Sequence, residues 1–189
     1  MKEVLAIASL ALGFATFVPY CAAMLKGTVK PHLFSWIPWT LTTAVGFWAS
    51  LSHGGGYGSW LFALQAVCCA AVLVYAIFRG EKEITTLDRA AFVGSVLAVI
   101  IYIFTKDAVV SILLAATADC LGFVPTFRKS FMKPRDEPAL TYIFSGTSFA
   151  LSIAALSAYT FETVFYPFVL VAANYVFVLF VTHRKAALR

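Results

Sequence analysis

Residues 108–131 read AVVSILLAATADCLGFVPTFRKSF. Up to Phe127 the stretch carries one charge, Asp119, and it then ends on Arg128 and Lys129. An apolar helix of roughly 20 residues is what a bilayer core about 30 Å thick requires. The stretch therefore predicts a membrane span with an acid in its interior, a proline toward one end and a basic stop.

The rest of the chain has the same character. Its 189 residues are 61% hydrophobic and 12% charged, with mean hydropathy +0.88. Soluble domains run at about 25% charged, so half the usual charge is missing. Lipid needs no polar cover, which excludes a water-soluble enzyme, a disordered chain and a disulfide scaffold. Seven apolar stretches are predicted as helices, at 4–25, 33–51, 59–79, 87–105, 108–131, 139–158 and 162–182. The first, at about 22 residues, is too long for a signal-peptide core of about 7–15. Pro31 and Pro138 suit the first turn of the second and sixth helices. Thr85 with Asp88 reads as a capping box, and Gly54, Gly55, Gly56 and Gly58 as a flexible link.

The 14 lysines and arginines sort by loop parity into two unequal groups. One side holds Lys26, Lys30, Arg79, Lys82, Arg89, Arg128, Lys129, Lys133, Arg135, Arg184, Lys185 and Arg189; the other holds only Lys2 and Lys106. This positive-inside bias predicts a multi-pass protein of the cell membrane with an outside N-terminus and a cytoplasmic C-terminus. Insertion and anionic lipid account for the net charge of +5, so nucleic acid is not the expected partner.

Self-comparison at a shift of 106 to 107 residues aligns Phe17-Val18-Pro19 with Phe123-Val124-Pro125. It also aligns Lys30-Pro31-His32-Leu33 with Glu137-Pro138-Ala139-Leu140, Leu73 with Leu179, and Arg79 with Lys185. The reading is two parallel three-helix repeats, 1–80 and 107–189, joined by a linker helix over 81–106. This all-α 3+1+3 membrane architecture, with Phe17-Val18-Pro19-Tyr20 and Gly122-Phe123-Val124-Pro125-Thr126 near the inner ends of the first helices, resembles the SWEET and PQ-loop transporter superfamily, and in particular its bacterial seven-helix members. Pro19-Tyr20 and Pro125-Thr126 stand where the family carries Pro-Gln. The resemblance implies alternating access for a small polar solute, with Pro19 and Pro125 as hinges; a packing kink is the other account of both prolines. It also implies a cavity asparagine on the last helix of each repeat, a position that Asn174 fills and Cys68 does not.

Polar residues in mid-membrane are costly unless paired or wetted. Asp119 is expected about 16 Å into its helix at 1.5 Å per residue. There it either carries a proton or cation or, as a neutral acid, donates one interhelical hydrogen bond. Asn174, the only asparagine, is expected about 18 Å deep, as cavity lining or as interhelical glue. Gln65, one turn from Cys68, joins the expected substrate site. Trp48 is the candidate for stacking on substrate, with an interfacial belt as its other reading, while Trp36, Trp39 and Trp60 read as belt. Thr40, Thr43, Thr147 and Ser148 sit at matching depths and either line a pathway or bond their own helices.

No metal, cofactor or enzymatic constellation is expected. The chain has no H-E-x-x-H, no Gly-rich phosphate loop, no G-x-S-x-G and no interior lysine on the seventh helix. Cys21, Cys68, Cys69 and Cys120 read as buried thiols without ligand spacing. The expected partners are a small-molecule solute and membrane lipid, and the chain admits a monomer or a homo-oligomer. The alternative function is a non-transporting PQ-loop-type receptor or interaction protein, with the basic loop 128–135 meeting an acidic partner or anionic lipid.

Overall fold

The computed structural model describes residues 1–105 and 107–187, so Lys106 and Arg189 of the charge count lie outside the described residues. Among the described residues there is no strand. The helices are α1 (Lys2–Ala15), α2 (Phe17–Leu25), α3 (Leu33–Ser52), α4 (Trp60–Arg79), α5 (Thr86–Phe104), α6 (Ala108–Met132), α7 (Ala139–Ala155) and α8 (Phe161–Ala187). Short 3₁₀ turns at Gly56–Ser59 and Pro134–Asp136 precede α4 and α7.

Local chemistry sets the ends. Thr85 Oγ1 accepts from the Asp88 amide at 3.3 Å while Asp88 Oδ2 accepts from the Thr85 amide at 2.8 Å, so the capping box opens α5 as expected. Asp107 caps α6 by accepting from the Val110 amide at 2.9 Å. Pro31 and Pro138 stand just before the first turns of α3 and α7 rather than within them, Pro138 as the N-cap. The glycine link is a tight corner and not a loose one. Gly54 and Gly56 take positive φ of 79° and 60°, and a Cβ at Gly58 would stand 2.6 Å from the Ser152 carbonyl oxygen. Ser152 Oγ donates to the Gly58 carbonyl at 2.9 Å, tying this corner to α7.

The helices pair selectively. α3 packs along α4 and α7 along α8; α1 crosses to α7 and α3 to α6; α1 also meets α4, and α6 meets α8. α5 lies at the edge, against α6 and α3. Among the described residues, four segments are long and apolar enough to cross a membrane: Lys2–Leu25, Gly56–Arg79, Thr86–Phe104 and Phe161–Ala187. About a third or less of the residues in each are buried. Phe78, Phe104, Val67 and Leu179 point outward, while Ser9, Ser35, Thr42, Ser95, Ser148 and Ser152 are buried. Apolar outside and hydroxyl-rich inside is the reverse of a soluble bundle, and it is the distribution a hydrocarbon solvent favours.

Candidate functional site

The interior polar residues converge on a cavity with a free volume of about 60 Å³, room for a few waters. It is bounded by Thr16 and Phe17 where α1 meets α2, by Trp36, Trp39 and Thr43 on α3, and by Gln65 and Cys69 on α4. The far side is Asp119 and Phe123 on α6, Thr141, Tyr142, Ser145 and Phe149 on α7, and Leu170 and Asn174 on α8. Every long helix except α5 reaches it.

Asp119 is 2% exposed. Its Oδ1 accepts from Thr42 Oγ1 at 2.8 Å and from the Tyr166 hydroxyl at 3.3 Å, so α3, α6 and α8 meet at one carboxyl oxygen. Thr42 also reaches the carbonyl of Pro38, whose ring interrupts the α3 ladder. Tyr166 is held by stacking on Phe62, with centroids 5.4 Å apart, and by Gly46, where any Cβ would meet its ring. Among the described residues no cationic side chain pairs with Asp119.

Trp39 donates from Nε1 to the Asp119 carbonyl at 3.3 Å, and Gly122, one turn on, leaves the space its indole fills. Trp36 packs edge-on against Trp39 with centroids 5.2 Å apart, and donates to the Tyr20 hydroxyl at 3.3 Å. Two enclosed atoms of lining residues have no partner, Gln65 Nε2, which lies toward Gly13 of α1, and Thr141 Oγ1. Asn174 uses its amide Nδ2 on the Leu170 carbonyl of its own helix at 2.8 Å.

Among the residues expected at a site, Asn174, Gln65 and Asp119 stand on this cavity. Cys68 is half-buried beside it, and it is Cys69 that faces inward, a register shift of one residue around α4. Trp48 is 71% exposed on the outer face of α3, away from the cavity, because it lies nine residues beyond Trp39 on the opposite side of the helix. The tryptophans read as belt, Trp36 and Trp39, are instead buried cavity walls. Position along a helix does not reveal its rotation, which is why the sequence misassigned them; their i, i+3 spacing with Thr43 was the usable signal. Thr40 and Thr147 bond carbonyls of their own helices, and Ser148 bonds Ser145. Thr141 and Ser145, one turn apart on α7, were not foreseen. The hydrogen-bond ladder of the first span lapses at Thr16, which keeps helical dihedrals of −51° and −40°, three residues before Pro19, whereas α6 runs unbroken through Pro125.

A second polar cluster closes the end of the bundle where the basic loops gather. Lys129 and Glu137 are each 3% exposed and pair at 2.7 Å. Lys129 also donates to the Lys30 carbonyl at 2.7 Å, and Lys185 donates to the Glu137 carbonyl at 2.7 Å. Tyr142, a cavity wall, donates from its hydroxyl to Glu137 Oε2 at 3.0 Å, so cavity and ion pair are joined through one side chain. Nearby, Arg128 Nε meets Asp88 Oδ1 at 2.8 Å and its Nη2 reaches the Glu83 carbonyl at 2.6 Å. His32 is buried with both ring nitrogens unbonded and its Nε2 3.6 Å from Asp88 Oδ2. Burial pulls its pKa below the ordinary 6.5; the Asp88 charge works the other way, and Arg128 and Lys129 add to the lowering. Glu81 is held below the usual carboxylate range although burial pushes it up: the amides of Glu83 and Lys82, then Lys133 and Lys129, outweigh that push.

No family model, curated protein or solved structure matches the chain.

Proposed function

We propose that the chain is a seven-span membrane transporter of a small polar solute, working by alternating access, of the SWEET and PQ-loop type. The observation that carries this is the pairing of cavity residues across the two halves. Phe17 and Phe123, Trp36 and Tyr142, Trp39 and Ser145, and Thr43 and Phe149 are each separated by 106 positions, and all eight line one cavity. The helix contacts follow the same exchange. Replacing the set α1/α2, α3, α4 by α6, α7, α8 turns the α3–α4 contact into α7–α8, and α1–α7 into α6–α3. α5 is left over, as a linker helix that restores the direction of the second half would be. A cavity at the interface between repeats is where parallel-repeat transporters bind their cargo.

In this reading the basic ends of the helices face the cytoplasm and the N-terminus lies outside. The solute sits among Asn174, Gln65, Thr141 and Asp119, with Trp36 and Trp39 as walls. Asp119 supplies a charge that no protein cation neutralises. The break at Thr16 lets the lower half of the first span swing. The test is uptake of small polar solutes into proteoliposomes. Flux that saturates, and that falls at least severalfold with Asn174→Ala or Gln65→Ala in a folded protein, is the expected result. Absence of flux for every solute class overturns the reading.

A further inference from the structure

The chemistry of the cavity narrows its occupant, and the inference that follows rests on reading the cavity as a transport site. Asp119 Oδ1 is already engaged by two hydroxyls, Tyr166 and Thr42, the second sharing its one proton with the Pro38 carbonyl. Asp119 Oδ2 receives no donor among the described residues and is not among the enclosed unpartnered atoms, so it borders free space. A buried carboxylate with no countercharge is expensive, and a neutral occupant leaves it uncompensated. An occupant that brings one positive charge compensates it.

The walls beside that oxygen favour the same charge. Trp39 is hydrogen-bonded to the Asp119 carbonyl, and its ring lies 4.8 Å from Phe123 and 5.2 Å from Trp36, centroid to centroid. Aromatic faces attract ammonium groups, most strongly where water is excluded.

We propose that the cavity binds a small organic monocation, a protonated or quaternary amine, with its ammonium between Asp119 and the Trp39 ring. Anions are excluded by Asp119, and the free volume of about 60 Å³ limits the occupant to a few heavy atoms unless the helices part.

The test uses the full chain in detergent at about pH 7.5. Thermal unfolding is followed against ethanolamine and choline, each beside its neutral isostere, propan-1-ol and 3,3-dimethylbutan-1-ol. A ligand that binds only the folded state raises the midpoint. The cations are expected to raise it by a few degrees, and the isosteres to bind about tenfold or more weakly. Asp119→Asn, which keeps the shape and removes the charge, is expected to erase the difference. Should that variant fail to fold, the isostere pairs on the unaltered protein still decide. Equal binding of cation and isostere overturns the proposal. So does a midpoint shift or flux confined to neutral polyols such as erythritol, a result that leaves the transport reading standing. Cation binding without flux into proteoliposomes keeps the site and removes the transport reading. Absence of both binding and flux removes the two together.

Discussion

Lys129 and Glu137 are the most exacting residues in the molecule, because both are buried and each holds more than the other. Lys129→Met leaves Glu137 with one side-chain donor, Tyr142, and the Lys30 carbonyl with none from this side chain. Removing one partner of a buried pair costs about 3–5 kcal/mol, whereas replacing both by apolar residues of similar volume is close to neutral. Chemical or thermal unfolding is therefore expected to show Lys129→Met as severely destabilised and Lys129→Met with Glu137→Leu as recovering only part of that loss, since the Lys30 carbonyl and the Tyr142 hydroxyl stay unpaired; equal losses in the two would mean that the pair is not a unit. His32 gives a pH signature. Its folded pKa lies below 6.5 because burial disfavours the cation, so the unfolded chain takes the proton first. Its share of stability is complete above pH 6.5 and is lost as the pH falls through the lowered folded value. His32→Gln is expected to flatten the part of the stability profile below about pH 6.5 while leaving the profile at higher pH unchanged. Neither residue announces itself in the sequence. Lys129 looks like one more positive-inside charge and His32 like a loop residue, and only packing of α6 and α7 against the loop before α3 buries them.

The first and fifth predicted spans both contain a Phe-Val-Pro, yet they behave differently as helices. Pro19 removes the amide that would bond the Ala15 carbonyl, and the helix is interrupted at Thr16. Pro125 removes the equivalent bond in α6, which continues without interruption. The surroundings differ in one respect. α6 is held by α3, α5 and α8, while the first span, paired with α7 and α4, has no counterpart of α5 against it. An edge helix at one repeat and not the other thus makes the two proline sites unequal. Pro19→Ala restores the missing amide, so the first span is expected to run continuously, to raise the unfolding midpoint by a few degrees, and to slow flux if the break is used as a hinge. Unchanged flux with a raised midpoint would leave Pro19 as a packing kink only. Many helix ends were legible because they depend on neighbours in sequence: Thr85 with Asp88, and the apolar limits of most stretches, although α8 runs on to Ala187 and α7 stops at Ala155. The break at Thr16 was legible only as a proline. The sequence marks where a ladder loses a bond; it does not say which neighbours hold the helix together across the gap.

At the scale of the whole molecule, the transport we propose would require the closed end to open, and Tyr142 ties that end to the cavity. Loss of the Glu137 carboxylate is expected to loosen it. With Cys21, Cys68 and Cys120 replaced by alanine, Cys69 is left as a thiol on the cavity wall. Glu137→Gln is expected to raise the rate at which a membrane-impermeant thiol reagent, supplied from the basic side, modifies Cys69. Equal rates with and without the substitution would mean that the ion pair does not guard the cavity. What the sequence determined by itself follows from properties that add up along the chain: apolar length gives helices suited to lipid, while the sum of basic residues and the 106-residue echo supply the orientation and the two halves that we propose. It also marked Asp119, Gln65 and Asn174, since a polar side chain inside an apolar run stands out whatever it faces. What the tertiary structure decided is rotation and company. Trp48 and Trp39 lie on one helix and are chemically the same, and only the packing of α3 against α6 turns one outward and the other onto the Asp119 carbonyl. Cys68 and Cys69 are adjacent and identical, and only the fit of α4 into the bundle selects the second. Such choices depend on residues a hundred positions apart meeting in space, because a helix carries every side chain through 360° every 3.6 residues, and its own sequence does not name the direction of the interior when lipid is as apolar as the core.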